Sequence, residues 1–228
     1  MPAEGTLCDW RPGDRAVTSA PDFTLIETMR AELGAGIVRV NLHRARFHNS
    51  SRKLGFADPT AAWAAIEDAA TTVDAPIRLR LEFWPDGRFD IQSVPFQPLP
   101  EGAVWRLAIA GAARLASTAP LLRHKTSRRT VYDAARAEFS REEADEVLLL
   151  NEKGEVCEGT ITNMFVEDEA GLLLTPPLSS GCLAGVLRTS LICARKARVQ
   201  PLRPSDLAER TIYVGNSLRG LIPARLGA

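Results

Sequence analysis

The chain has 228 residues, 45% of them hydrophobic, enough to bury a substantial core as one large or two small domains without disulfide or metal staples. Its 28 basic and 28 acidic residues cancel to a formal net charge of +0, which argues against general attraction to nucleic acid or anionic membrane and favours a small-molecule partner. Four cysteines (Cys8, Cys157, Cys182, Cys193) form no C-x-x-C pair, and His43, His48 and His124 lack zinc-like spacing, so we expect reduced thiols, no metal and a cytoplasmic protein. The polar start MPAEGTLCDWRPGDR, broken by proline and glycine, reads as neither signal peptide nor anchor.

In chain order, FTLIETMR and GIVRVNL are short β-rich runs around a Gly-Ala-Gly turn signal and predict a hairpin. LHRARFHNSSRKLGF changes to helical periodicity, with Leu42, Phe47 and Leu54 apolar and Gly55 available as a stop. DPTAAWAAIEDAATTV predicts a second helix, with Pro59 and Thr60 near its start. PIRLRLEFWPDGRFDIQSVPF alternates at period two on either side of Asp86-Gly87, a strong hairpin signal. QPLPEG is the candidate domain boundary. Beyond it, WRLAIA predicts a strand and TSRRTVYDAARAEFSREEA a helix, whose acidic run Glu142, Glu143, Asp145 and Glu146 reads as a solvated end. EVLLLN, GEVCEGTITNMFVED and GLLLTPP follow as three strands, then GVLRTSLICARKA as a helix and TIYVGNS as a last strand. The pattern suggests two α+β lobes, residues 1–97 and 103–228.

Candidate chemistry concentrates in the second half. The chain holds only four lysines, Lys53, Lys125, Lys153 and Lys196, against 24 arginines, so a lysine placed among Arg123, Arg128 and Arg129 asks for a reason. An amine that must lose its proton and attack carbon cannot be an arginine, and neighbouring like charges would lower the Lys125 pKa. Glu158, in CEGTITNMF, lies between a strand and a small-residue turn, where a carboxylate could pair with a protonated ring nitrogen inside a cleft. Asn163 in the same turn would tie down backbone. In SSGCLAGVLRTSL a Ser/Gly-rich loop runs into a helix whose first amides, at Gly185, Val186 and Leu187, would face an anion. Taken singly, each of these also reads as an ordinary surface lysine, surface carboxylate or capped helix.

In this order, HKTSRR, EVLLLNEKGEVCEGTITNMF, LLLTPPLSSGCLAGVLR and VGNSLRG resemble the motif series of the class IV (fold type IV) pyridoxal-phosphate enzymes. That family includes branched-chain and D-amino acid aminotransferases and aminodeoxychorismate lyase. The resemblance runs from IETMR to NSLRG. It implies a two-lobed α+β fold with a small N-terminal α/β lobe and a larger β-rich C-terminal lobe, pyridoxal 5'-phosphate as cofactor, and a homodimer with the cofactor in the cleft between lobes.

Position by position, Lys125 matches the Schiff-base lysine and Glu158 the carboxylate that keeps the pyridine nitrogen protonated. Arg46 matches the arginine that grips the cofactor phosphate, Val186 and Leu187 the helix-start amides on the same group, and Asn216 and Ser217 further contacts near it; Asn163 is grouped with this cofactor-binding set. Arg30, Arg128, Tyr132 and Arg219 are candidates for the substrate. Two features depart from the family. Thr130 stands where its aminotransferases often place a tyrosine, with Tyr132 two further on, and the N-terminal region is shorter and lacks a YGDG-like turn. HKTSRRTVYDAAR, IETMR and NSLRGLIPA look most like the lyase, which gives 4-aminobenzoate and pyruvate in folate synthesis. A branched-chain or D-amino acid aminotransferase is the alternative, and a non-catalytic binding module on the same scaffold a third.

Overall fold

The computed structural model describes residues 21–71, 73–208 and 210–227; Cys8 and the polar amino terminus lie outside them. Strand β1 (Leu25–Glu32) buries Leu25, Glu27, Met29 and Ala31 and leaves Thr28, Arg30 and Glu32 half-buried in period-two alternation; Ile26, in the outward phase, is buried as well, facing the cavity. It pairs with β2 (Gly36–Ile37), β3 (Ile77–Phe83) pairs with β1, and β4 (Phe89–Pro95) with β3, giving a four-stranded antiparallel sheet in the order β2-β1-β3-β4. The Asp86-Gly87 hairpin forms as the sequence predicts, with Gly87 at φ 92. The predicted hairpin strand GIVRVNL is cut to Gly36–Ile37, because Arg39 turns into the left-handed region (φ 60) and helix α1 (Val40–Leu54) opens at once. Packing decides this against the β-branched sequence: α1 lays Phe47 onto Phe83 (ring centroids 5.2 Å apart) and Trp63 (6.0 Å). Gly55 ends α1 at φ 72, its N–H bonded to the Ser51 carbonyl. Helix α2 (Thr60–Thr71) starts where the Asp58 carboxylate accepts the Thr60 N–H at 3.0 Å, and it buries Ala62, Trp63, Ile66 and Ala70 along one face.

Residues 105–226 build an eight-stranded mixed sheet, in the order β10-β9-β8-β11-β12-β5-β6-β7. Its strands are β5 (Trp105–Leu115), β6 (Glu146–Asn151), β7 (Val156–Gly159), β8 (Asn163–Glu167), β9 (Leu173–Thr175), β10 (Ala197–Val199), β11 (Ile212–Asn216) and β12 (Gly220–Leu226). The helix predicted from Thr126 to Ala144 is shorter, α3 spanning Thr130–Ala137. Its expected first turn is drawn into extended pairing with β1, and past its end the Glu138 carboxylate accepts amides of Ala112 and Ala113 in β5. The acidic run is not a helix end, since α3 stops at Ala137; Glu142 and Glu143 are exposed as expected, but Glu146 opens a strand and is 1% exposed. Helix α4 (Val186–Cys193) gives way to β10, and the chain ends on β12 rather than on TIYVGNS. Cys157, Cys182 and Cys193 are free thiols, the first two buried. Among the described residues no helix is long and apolar enough to cross a membrane.

Candidate active site

A cavity of about 340 Å³ lies between the two sheets, reached by β1 and β3 from one side and by the β7–β8 and β11–β12 turns from the other. Lys125 lines it. Its segment follows a 3-10 turn (Pro120–Arg123) and then runs along β1: the Ile26 N–H donates to the Lys125 carbonyl at 2.8 Å and the Ser127 N–H to the Thr24 carbonyl at 2.9 Å. Burial pushes the amine down to about 8, helped by the positive charges of Arg46 and Arg129 and opposed by Glu27 and Glu158. Of the three flanking arginines expected to depress it, only Arg129 does so. Arg123 donates instead to the Leu178 carbonyl, while Arg128 pairs with Asp22 and lies over Phe23, 5.4 Å from the ring centre.

On one side of Lys125 the sheets build an anion-ready corner. Arg46 donates through Nε and Nη2 to the two oxygens of Glu27, at 2.7 and 2.6 Å, and His43 Nδ1 lies 2.6 Å from Glu27 Oε2. Burial alone would raise the Glu27 pKa, but the Arg46 charge and the hydrogen bonds from His43 and Arg46 outweigh it and hold the carboxyl at about 2. Burial holds His43 below its usual value, so the ring is neutral near pH 7. A carboxylate only accepts; Nδ1 therefore carries the proton, and Nε2 accepts from the Ser217 hydroxyl at 2.8 Å. Arg46 keeps three of its five N–H donors free of Glu27.

The same corner reaches Gly185, the N-cap of α4, which no side chain caps, so the amides of Val186 and Leu187 have no partner within the helix. A Cβ at Gly185 would overlap the Asn163 side-chain oxygen, so any other residue there would displace the Asn163 amide. Asn216, also on the cavity, donates to the Ile161 carbonyl at 3.2 Å and accepts the Arg219 N–H at 3.0 Å, holding the β11–β12 turn against the β7–β8 turn.

On the other side lies Glu158, 5% exposed. Its Oε1 accepts from the Tyr132 hydroxyl at 2.8 Å, and its Oε2 from the Leu183 N–H at 3.0 Å and Asn163 Nδ2 at 3.2 Å. Burial raises its pKa to about 7, against the pull of those hydrogen bonds and of the Lys125 and Arg129 charges. Tyr132 is thus engaged with Glu158 while also lining the cavity.

The wall around these groups is basic. Arg78, Arg80, Arg128, Arg129 and Arg219 line the cavity together with Arg46, and Arg78 Nε is buried with no hydrogen-bond partner. Arg30 is not among the lining residues; it pairs with Glu32 at 2.9 Å and lies over Phe96, 5.2 Å from the ring centre. Three buried groups escaped sequence reasoning: Glu27, His43 and Glu146. Glu27 had a signal, a carboxylate in the core phase of an alternating strand, and His43 sits one turn before Arg46 on the same helix face. Glu146 shapes the site from behind. It accepts from the Thr160 and Ile161 amides (3.0 and 3.1 Å) and from the Thr160 and Thr162 hydroxyls (2.5 and 2.9 Å), which splits the predicted strand GEVCEGTITNMFVED into β7 and β8 around a turn.

Comparison with known proteins agrees with this architecture. Residues 24–226 match the family described as amino-transferase class IV. A crystal structure of a "Putative amino-acid aminotransferase" from Mesorhizobium loti superposes with a TM-score of 0.86 at 45% identity, covering 90% of this chain and 100% of that one. The "Probable branched-chain-amino-acid aminotransferase" of Thermotoga maritima is 30% identical over 93% of this chain and 74% of its own length. The "Putative aminodeoxychorismate lyase" of Schizosaccharomyces pombe is 29% identical over 66% of this chain and 65% of its own. The small antiparallel sheet beside a larger mixed sheet is the fold type IV architecture that the motif series implied. The chain belongs to the class IV amino-transferase family of pyridoxal-phosphate enzymes.

Proposed function

We propose that the chain is a pyridoxal-phosphate-dependent lyase that converts 4-amino-4-deoxychorismate into 4-aminobenzoate and pyruvate. The observation that carries this reading is the arginine-rich wall. Six arginines reach one cavity, and its Arg78 Nε is buried without a partner, a provision suited to a substrate that brings two carboxylates besides the cofactor phosphate. Aminodeoxychorismate brings two on its reacting molecule; a branched-chain amino acid brings one and an apolar side chain, and an aminotransferase meets two only in a dicarboxylic cosubstrate such as 2-oxoglutarate.

The residues present fit the cofactor. The unspent donors of Arg46, the Ser217 hydroxyl and the uncapped amides of Val186 and Leu187 would hold its phosphate, with Asn216 fixing the adjacent turn. Glu158, backed by Asn163, would face the ring nitrogen, and the Lys125 amine would bond the aldehyde carbon. When bound, pyridoxal phosphate supplies an electron sink next to the substrate's amine-bearing carbon.

Lys125 would take the proton from that carbon; its value of about 8 suits it to accept and return a proton near neutral pH. The carbon–oxygen bond to the enolpyruvyl group breaks, the ring becomes aromatic, and Lys125 returns the proton to the departing enol carbon, giving pyruvate. Arg78, Arg128 and Arg219 would orient the two carboxylates. A homodimer belongs to the same reading.

An aminotransferase of branched-chain or D-amino acids is the second reading; the 45% identical Mesorhizobium loti protein, named a putative amino-acid aminotransferase, favours aminotransfer over elimination. The two separate by assay with purified protein and pyridoxal phosphate. Stoichiometric 4-aminobenzoate and pyruvate from aminodeoxychorismate, without a keto acid, supports the lyase; amino exchange with 2-oxoglutarate and no 4-aminobenzoate overturns it.

A further inference from the structure

Glu158 has four acceptor positions as a carboxylate, two on each oxygen. Oε2 spends both, on the Leu183 N–H and on Asn163 Nδ2, whereas Oε1 spends one, on the Tyr132 hydroxyl. A single acceptor position remains, and it is on the oxygen that Tyr132 holds. Tyr132 is itself held: the Arg129 guanidinium lies over its ring, 4.9 Å from the centre, and Arg129 Nη2 is fixed by the Thr160 carbonyl at 2.6 Å. Thr160 is in turn locked by Glu146, at 2.5 Å through its hydroxyl. A ring held on one face by Arg129 and at its hydroxyl by Glu158 is poorly placed to follow a substrate.

We propose that Tyr132 is a positioning residue that sets the orientation and charge of Glu158 toward the cofactor ring nitrogen, in place of a substrate contact. The proposal rests on the pyridoxal-phosphate reading above. Its physical basis is that no cation forms an ion pair with Glu158 among the described residues, so three hydrogen bonds sustain its charge in a dry site. The titratable and charged groups that face it are Lys125 and Arg129 ahead of α3, Tyr132 on α3, Cys157 beside it on β7, Cys182 after β9, and Arg188 on α4. Cys157 and Cys182 are buried thiols whose pKa values burial pushes up, so they supply no compensating charge, and Arg188 is turned to the Pro176 carbonyl at 2.7 Å. Without the Tyr132 O–H, which sustains the ionised form, the Glu158 pKa rises from about 7 and the carboxyl holds its proton to higher pH.

The test compares wild type with Tyr132→Phe, which keeps the ring under Arg129 and removes only the oxygen. Borohydride trapping of pyridoxal phosphate on Lys125 is measured first. Binding by the apoprotein is then measured by fluorescence quenching across pH, for pyridoxal phosphate and for its 1-deaza analogue, which has carbon in place of the ring nitrogen. Tyr132→Phe is expected to bind pyridoxal phosphate about tenfold more weakly and the analogue within about twofold of wild type. The acid-side midpoint of pyridoxal-phosphate binding should move up by about one pH unit. Equal losses for both ligands with an unmoved midpoint would show a merely structural tyrosine and overturn the proposal, as would no change at all. Failure of trapping in wild type would overturn the cofactor reading itself, and this proposal with it; trapping with no difference between the ligands overturns the proposal alone.

Discussion

Two glutamates flank Lys125, and burial treats them alike while their neighbours do not. Glu27 is 1% exposed and Glu158 5%, yet the first is held at about 2 and the second raised to about 7. Glu27 meets a bidentate guanidinium and an imidazole N–H; Glu158 meets a phenol, an amide and a backbone N–H. Desolvation sets a similar penalty for both, and the charge of the compensating donor decides whether the carboxylate becomes a fixed ion or a group ready to exchange a proton. One end of the cavity therefore holds a fixed ion pair and the other a carboxyl that can exchange a proton near neutral pH.

The largest expected effect removes the amine between them. Lys125→Ala should abolish covalent capture of pyridoxal phosphate and lower turnover at least about 10³-fold, read by borohydride reduction and peptide mapping. Next, Glu158→Gln should lower turnover about 10²-fold while leaving thermal stability unchanged or higher, since it deletes a buried charge that no cation pairs. A melting temperature several degrees lower would mean that Glu158 is a structural ion like Glu27, and the contrast would collapse.

Glu27→Gln should do the reverse. It leaves Arg46 without its counter-charge and should cost roughly 3 kcal/mol of unfolding free energy, part of which added inorganic phosphate should restore by binding Arg46. Unchanged stability in urea, with or without phosphate, would break the assignment of Glu27 as anchor.

The two carboxylates also predict opposite dependences on pH. The Glu27 value of about 2 lies below the ordinary 4.5, so its stabilisation is full above pH 4.5 and is lost as pH falls toward 2. For Glu158 the value of about 7 lies above 4.5, so its contribution is full below pH 4.5 and declines as pH rises toward 7. Each shift corresponds to roughly 3 kcal/mol. Urea titrations of Glu158→Gln against wild type should accordingly show the variant gaining relative stability between pH 4.5 and 7, and those of Glu27→Gln losing most of their difference below pH 4.5. The smallest effect is expected at Ser217→Ala, which removes the hydroxyl from His43 Nε2: about 1 kcal/mol in stability and a several-fold weaker grip on pyridoxal phosphate.

What the sequence made legible was local or ordered along the chain. Asp86-Gly87, Gly55 and EVLLLN carry their structure in neighbouring residues, and the motif order named the family through Lys125, EGTITN and GVLR. What it hid depends on distant partners. Nothing around Thr126 announces that Lys125–Ser127 will lie along β1 and shorten the helix that follows. Pro223 argues against a strand in GLIPARL, yet β12 tolerates it because the parallel ladder to β5 begins only at Ala224. Glu146 looked like one member of a solvated acidic run because the hydroxyls and amides that bury it come from residues 160–162. The hydrogen bond from Tyr132 to Glu158 was hidden for the same reason, since one lies on α3 and the other on β7, 26 residues along the chain.

The pairing of Lys125 with β1 also fixes a length. The Ile26 N–H holds the Lys125 carbonyl, and the next residue, Glu27, holds Arg46. The Lys125 segment and the Arg46 guanidinium are thus indexed to adjacent positions of one strand, which works as a gauge block. Small slippage between the two sheets would carry both together and leave their separation intact. An added residue between Ile26 and Glu27 would disturb that separation directly, whereas one in the 96–104 connection would leave it alone. Slow deuterium uptake at the Ile26 and Ser127 amides would report how firmly the gauge is held.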